Sequence, residues 1–216
     1  TGLYVWNGEK WEDINAAPRF KPLQSAPGPD VVYAPNSYIA TSGSSVTIPV
    51  EKAFAIWDWW RGGEHPDGKL LAETSASFGN TLYVKVLWEE SEEGVITSGN
   101  IIESVSFSST SLYNNIAKDR SASIYVKVKA GAVGNAVVAV SDNPNVETNA
   151  RWSWHIWVPK TDPTVMTYIH NAGKQTNVWM DRNLGASRNG IVEADRVYSI
   201  GMTYQWGRKD PLPTYV

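Results

Sequence analysis

Three features of the sequence predict an all-β fold, an immunoglobulin-like β-sandwich over residues 31–160 followed by a loop-rich segment. Seven or so short runs alternate apolar with polar residues, separated by turns rich in Gly, Asn and Asp. No stretch carries a convincing amphipathic helical period. Apolar residues, 42% against 19% charged, are enough for one sizeable core in a chain of 216 residues.

The chain opens with "TGLYVWNGEKWEDI" (1–14), where Leu3 and Val5 precede an Asn7–Gly8 turn and Trp11 follows, the pattern of a small hairpin. "NAAPRFKPLQSAPGPD" (15–30) has four prolines and no apolar period, which marks a linker. In "VTIPV" (46–50), Val46, Ile48 and Val50 share a face, and Pro49, lacking an N–H, places this strand at a sheet edge. "AFAIWDWW" (53–60) is expected as the next strand, with Phe54, Ile56, Asp58 and Trp60 on one face and Ala55, Trp57 and Trp59 on the other. "RGGEHPDGK" (61–69) follows as a loop.

"TLYVKVLW" (81–88) is the clearest strand, with Leu82, Val84, Val86 and Trp88 facing one way. "IESVSF" (102–107) brings Val105 and Phe107 to one side, and "SIYVKVKA" (123–130) brings Ile124, Val126 and Val128. "GNAVVAVSD" (134–142) is apolar on both faces, as a central strand is. "RWSWHIWV" (151–158) sets Trp152, Trp154, Ile156 and Val158 against Arg151, Ser153 and His155. Beyond "PKTDPT" (159–164) the chain becomes polar, Arg-rich and aromatic without a long period. This tail is expected to pack on the sandwich, because "VWM" and "YQW" otherwise leave large apolar side chains wet.

Composition excludes several classes of function. The net charge is −3 and Lys and Arg are scattered, so there is no basic stripe for nucleic acid. The absence of cysteine removes disulfides, thiolate metal sites and cysteine nucleophiles. No run of about 18 apolar residues is present to span a membrane. The chain begins with neither Met nor a signal-like stretch and reads as a mature or trimmed product whose targeting information is missing. Eleven Trp and ten Tyr against four Phe favour half-exposed β faces and binding surfaces.

"NSYIATSGSSVTIPV", "VLWEE", "GNAVVAVSD", "WSWHIWV", "HNAGKQTNVWMDRNLGA" and "YQWGRKDPLP" occur in that order over roughly residues 36–213. In this the chain resembles the large fimbrillin-like cell-surface proteins of Bacteroides-type bacteria. "VWMDRNLGA" also resembles the opening of the Fibrobacter major paralogous domain, whose fold is related to C-type lectins. Those relatives continue past the "GRKDP" phrase, so residues 165–216 are expected to be the start of a lectin-like unit, and an incomplete one. The resemblance implies a secreted, outer-membrane-associated module of an adhesin or pilus-associated protein. It implies no catalysis, cofactor or metal. The partners it implies are protein subunits of a surface assembly, or host or dietary glycans.

Several residue groups are candidate sites. On a strand, Trp57 and Trp59 occupy alternate positions and could stack pyranose rings, with Trp60 and Asp58 beside them; the alternative is a core strand. Glu64, His65 and Asp67 could orient sugar hydroxyls or hold a hard cation, but their spacing matches no known metal signature, and a solvated loop is the plainer reading. His155 lacks a nucleophile at a known elbow and reads as structural. "WEESEEGV" (88–95) concentrates carboxylates in what reads as a solvated turn rather than a glycosidase pair. Arg182, Arg188, Arg208 and Lys209 stand near Asp181 and Asp210, a set that suits either acidic-sugar recognition or internal ion pairs; the latter is preferred.

Overall fold

The computed structural model describes residues 4–6, 11–13, 35–61, 79–170, 175–205 and 210–213, with the backbone alone for 4–6, 11–13, 57–61, 166–170 and 175–178. In chain order the first elements are β1 (Tyr4–Trp6), β2 (Trp11–Asp13), β3 (Ser37–Ile39), β4 (Ser45–Pro49), α1 (Glu51–Arg61), β5 (Thr81–Ser91) and β6 (Ile102–Ser106). Then come β7 (Asn115–Ala117), β8 (Ser123–Val128), β9 (Gly134–Ser141), α2 (Val146–Asn149), β10 (Trp152–Val158), β11 (Val165–His170), β12 (Gln175–Met180) and a 3₁₀ helix, Glu193–Ser199. The fold is mostly β, with 38% strand against 12% helix.

Two sheets form the main body. The larger has the order β3-β10-β9-β5-β7, and the smaller β4-β8-β6. β3 runs parallel to β10, and the other pairings are antiparallel. Period-two alternation turns Leu82 and Val84, Ala136, Val138 and Val140, and Trp154, Ile156 and Val158 of the larger sheet inward. They meet Ile48, Ile124, Val126 and Val128 of the smaller sheet in one core. Each large side chain buried there contributes about 1.5–3 kcal/mol. β4 lies at an edge, as Pro49 requires. β9 is buried along its whole length, between β10 and β5. The hairpins β1–β2 and β11–β12 pair antiparallel, with Trp6 opposite Trp11 and Val165 opposite Met180.

Two expectations are corrected. "AFAIWDWW" is helix, not strand: its residues fall within α1. Ala53, Ile56, Trp57 and Trp60 repeat at i, i+3, i+4 and i+7, and a short apolar run satisfies both periods until its neighbours decide. Ala53 and Phe54 enter the core at the start of the helix, directly after buried Val50. The face of β5 also changes partway along. Val86 pairs with Val138 but Trp88 with Val137, so Leu87 is an extra, bulged residue. Trp88 therefore lies on the opposite face from Val86, and Glu89 turns inward opposite Ala136.

That inward turn gives Glu89 a structural task. The residue is 2% exposed, and its carboxyl oxygens accept N–H bonds from Asn100 (2.8 Å), Ile101 (3.3 Å) and Ile102 (3.0 Å). The loop entering β6 is thus held by a side chain of β5. Glu89→Ala strands those buried donors, and urea denaturation is expected to show a loss of at least about 2 kcal/mol, with a smaller loss for Glu89→Gln, which keeps one acceptor oxygen.

Candidate functional site

The outer face of the larger sheet is apolar where it ought to be wet. Val137 and Ala139 of β9 and Trp157 of β10 point away from the core, yet all three are buried. The segment after β12 covers this face. Trp157 Nε1 donates to Ala186 O at 3.1 Å, and Lys160 N donates to Ser187 O at 3.0 Å. Ser153 Oγ lies 2.6 and 2.7 Å from the two carboxyl oxygens of Asp210. The approach is close at Gly185, whose φ of +84° favours glycine and where a Cβ would run into Met202.

His155 is the centre of this seam. Asn135 Nδ2 donates to Gly185 O at 3.0 Å, which turns Asn135 Oδ1 toward His155 Nε2 at 2.9 Å. Nε2 therefore carries the proton, and Nδ1 accepts from the Ser37 hydroxyl at 3.2 Å. One chain of bonds links β3, β10, β9 and the covering segment. A hydroxyl, an imidazole and an amide in line have the outline of a nucleophile with its base and orienting group. Here the imidazole is 2% exposed. Burial lowers its pKa to about 4, against a smaller upward pull from Asp210. The arrangement is a tie between strands, and a buried neutral ring is suited to that.

Glu92, just past β5, is the second anchor. It accepts from Arg188 Nε at 2.6 Å and Ser187 Oγ at 2.8 Å, with Lys160 Nζ at 3.9 Å. Burial pushes its carboxyl upward, but the bonds from Arg188 and Ser187 and the nearby cations outweigh this and hold it below the ordinary value. Arg188 also bonds Asp195 at 2.5 Å and lies 4.4 Å over the Tyr198 ring. Arg182 is likewise enclosed. It pairs bidentately with Asp181 at 2.8 and 2.9 Å and donates to the carbonyls of Thr161 and Ser187. The guanidinium draws Asp181 down to about 2. Arg182, Arg188, Asp181 and Asp210 are thus taken up by internal pairing.

Beside Glu92 a cleft of about 520 Å³ opens among Glu93, Val95, Asn100, Val133 and Lys160. It offers carboxyl, amide and ammonium groups beside a small apolar wall. Of the carboxylates of "WEESEEGV", Glu93 lies exposed in a turn as expected, whereas Glu89 and Glu90 are each 2% exposed and Glu92 anchors the seam. The bulge at Leu87 reverses which of these residues face inward, and local alternation does not reveal it.

Of the aromatic platform, Trp57, Asp58, Trp59 and Trp60 lie on α1 with only their backbone described. Helical geometry places positions 57 and 59 about 200° apart around the axis, so they no longer share a face as alternate strand positions do. His65, Glu64, Asp67, Arg208 and Lys209 lie outside the described residues. Among the described residues no group of three His, Asp or Glu side chains could hold a metal ion. No protein-family model, curated protein or solved structure matches the chain.

The seam makes stability depend on pH. His155 binds its proton more weakly when folded than when unfolded, so protonation favours the unfolded chain. Its contribution, roughly 3 kcal/mol, is complete above pH about 6.5 and is lost as pH falls toward about 4. Thermal melts across that window should show a falling Tm for the wild type and a flatter profile for His155→Gln.

Proposed function

We propose that the chain is a non-enzymatic module of a bacterial cell-surface adhesin or pilus-associated protein of fimbrillin-like kind, working outside the cell in adhesion or assembly. The observation that carries this reading is an open sheet edge. β5 pairs with β7 only over Thr81–Tyr83, with one further bond from Val84 N to Asn114 O. From Lys85 to Trp88 no strand among the described residues lies on that side of β5. Unpaired backbone of this kind is a template for a strand from another chain. The bulge at Leu87 keeps the template short, which suits one specific partner strand better than open-ended sheet growth.

Sheet order supports the immunoglobulin-like form of the sandwich. Such folds read G-F-C in one sheet and B-E-D in the other. β10-β9-β5 and β4-β8-β6 follow those orders, with β3 parallel to β10 as a first strand beside the last. The succession of β6 and β7 departs from it, since β6 crosses to the smaller sheet before β7 returns. The part read as the opening of a lectin-like unit, β12 and the covering segment after it, keeps Trp179, Ile191, Val192 and Ile200 exposed. The internal pairing of His155, Glu92, Arg182 and Arg188 supports a role in display rather than chemistry. Among the described residues no helix is long and apolar enough to cross a membrane.

Val84 N donates to Asn114 O on the β7 side, so by the alternation of the ladder Val86 N faces the open edge, and Val86→Pro removes that donor while leaving the N–H groups that face β9. Sedimentation velocity over a concentration series should show the wild-type chain associating and Val86→Pro remaining monomeric with an unchanged circular-dichroism spectrum. Bacteria displaying the two forms should differ in adherence in the same sense. A wild type that stays monomeric, on non-adherent cells, overturns the reading.

A further inference from the structure

The outer face of the smaller sheet differs in character from that of the larger one. Its cross-strand rows are fixed by register: Ser45, Lys127 and Ser104 lie side by side, then Thr47, Tyr125 and Ser106. The inward partners on β8, Ile124, Val126 and Val128, are fully buried, so Tyr125 and Lys127 face outward and both stay half-buried. The cross-strand neighbours of Tyr125 on this face, Thr47 and Ser106, both carry small hydroxyl side chains. The loop after β6 builds a wall beside it. Ser106 Oγ donates to Ser108 O at 2.7 Å, and Ser108 Oγ accepts from the N–H groups of Thr110 and Ser111 at 3.2 Å each. Leu112, 76% exposed, stands on the rim. The trough, open to one side, measures about 260 Å³, just below the usual range for small-ligand sites.

We propose that this trough binds a neutral saccharide, with the pyranose C–H face on Tyr125 and sugar hydroxyls on Ser45, Ser104 and the 108–111 loop. Three properties point to that class. An aromatic ring beside hydroxyls matches a ligand with one apolar face and a polar perimeter. Serine and threonine hydroxyls both donate and accept, as sugar hydroxyls require of a partner. The lining carries a single charge, Lys127, whose ammonium already donates to Gly43 O at 2.5 Å. It therefore serves as a fixed donor at one end, without dominating the site as it would for an anion. The inference is independent of the open β5 edge: the trough lies on the other sheet, and either can fail alone.

The test is a glycan array of neutral, sialylated and sulfated oligosaccharides probed with the whole chain, followed by calorimetric titration of the strongest neutral ligand. Tyr125→Ala is expected to weaken binding by roughly tenfold or more, the factor that corresponds to about 1.4 kcal/mol of lost contact. Tyr125→Phe should bind within about threefold of wild type, since the stacking face remains. Ser104→Leu fills the trough from an outward position without entering the core, and should also abolish binding. It decides the matter if Tyr125→Ala does not fold. Absence of any neutral ligand, binding that survives both Tyr125→Ala and Ser104→Leu, or binding confined to anionic glycans and lost in Lys127→Gln would each overturn the proposal.

Discussion

β9 must be kept from water on both faces at once, and most of the molecule is arranged around that constraint. Its inward residues, Ala136, Val138 and Val140, are covered by the smaller sheet. Its outward residues, Asn135, Val137 and Ala139, are buried as well. Described residues of the chain after β12 lie over this side of the sheet, and polar ties at Gly185, Ala186, Ser187 and Asp210 hold them there. Asn135 is the pivotal tie, since one amide bonds both the covering backbone at Gly185 and the buried ring of His155. An unsatisfied amide at that depth costs more than the bonds gain when made, so the sheet and its cover are specified together.

The same logic governs the charged groups. Glu92, Arg188 and Asp195 form a run of ion pairs at one margin of the seam, and Asp181 with Arg182 forms another. The Asp181–Arg182 pair is almost fully enclosed, and its remaining donors meet the Thr161 and Ser187 carbonyls. Such a pair adds little net stability over an apolar pair of equal size, but breaking half of it is costly. Its role is therefore positional: it fixes where the linker after β10 meets the covering segment.

The sandwich was legible in the sequence wherever one face alone was buried, as in β8, whose alternation is uninterrupted. β9, too, could be read as central, and an apolar strand on both faces already implies a second covering layer. Three things were not legible. The helical state of residues 51–61 depends on packing beneath Ala53 and Phe54, which a run compatible with both periods does not declare. The bulge at Leu87 inverts the faces beyond it, and no local residue type announces it. The seam itself joins residues 57 positions apart at Ser153 and Asp210 and 118 apart at Ser37 and His155, distances over which pattern carries no information. Tight spacing of Asp181 with Arg182 was the one local signal, and it was read as internal pairing.

The two outer faces of the sandwich then divide the available surface between different kinds of contact. On the larger sheet, Val137 and Trp157 are apolar outward residues that the protein's own chain buries. On the smaller sheet the outward positions are Ser45, Thr47, Ser104, Tyr125 and Lys127, which need no cover. Among the described residues the smaller sheet is the one whose outer face is lined mainly by hydroxyl side chains, and the margin of β5 past Val84 is the edge on which the proposed pairing with another chain rests. The covering segment links the two. By occupying the larger face it allows the sandwich to stand exposed on its polar side and its open edge without also presenting an apolar sheet to the surroundings.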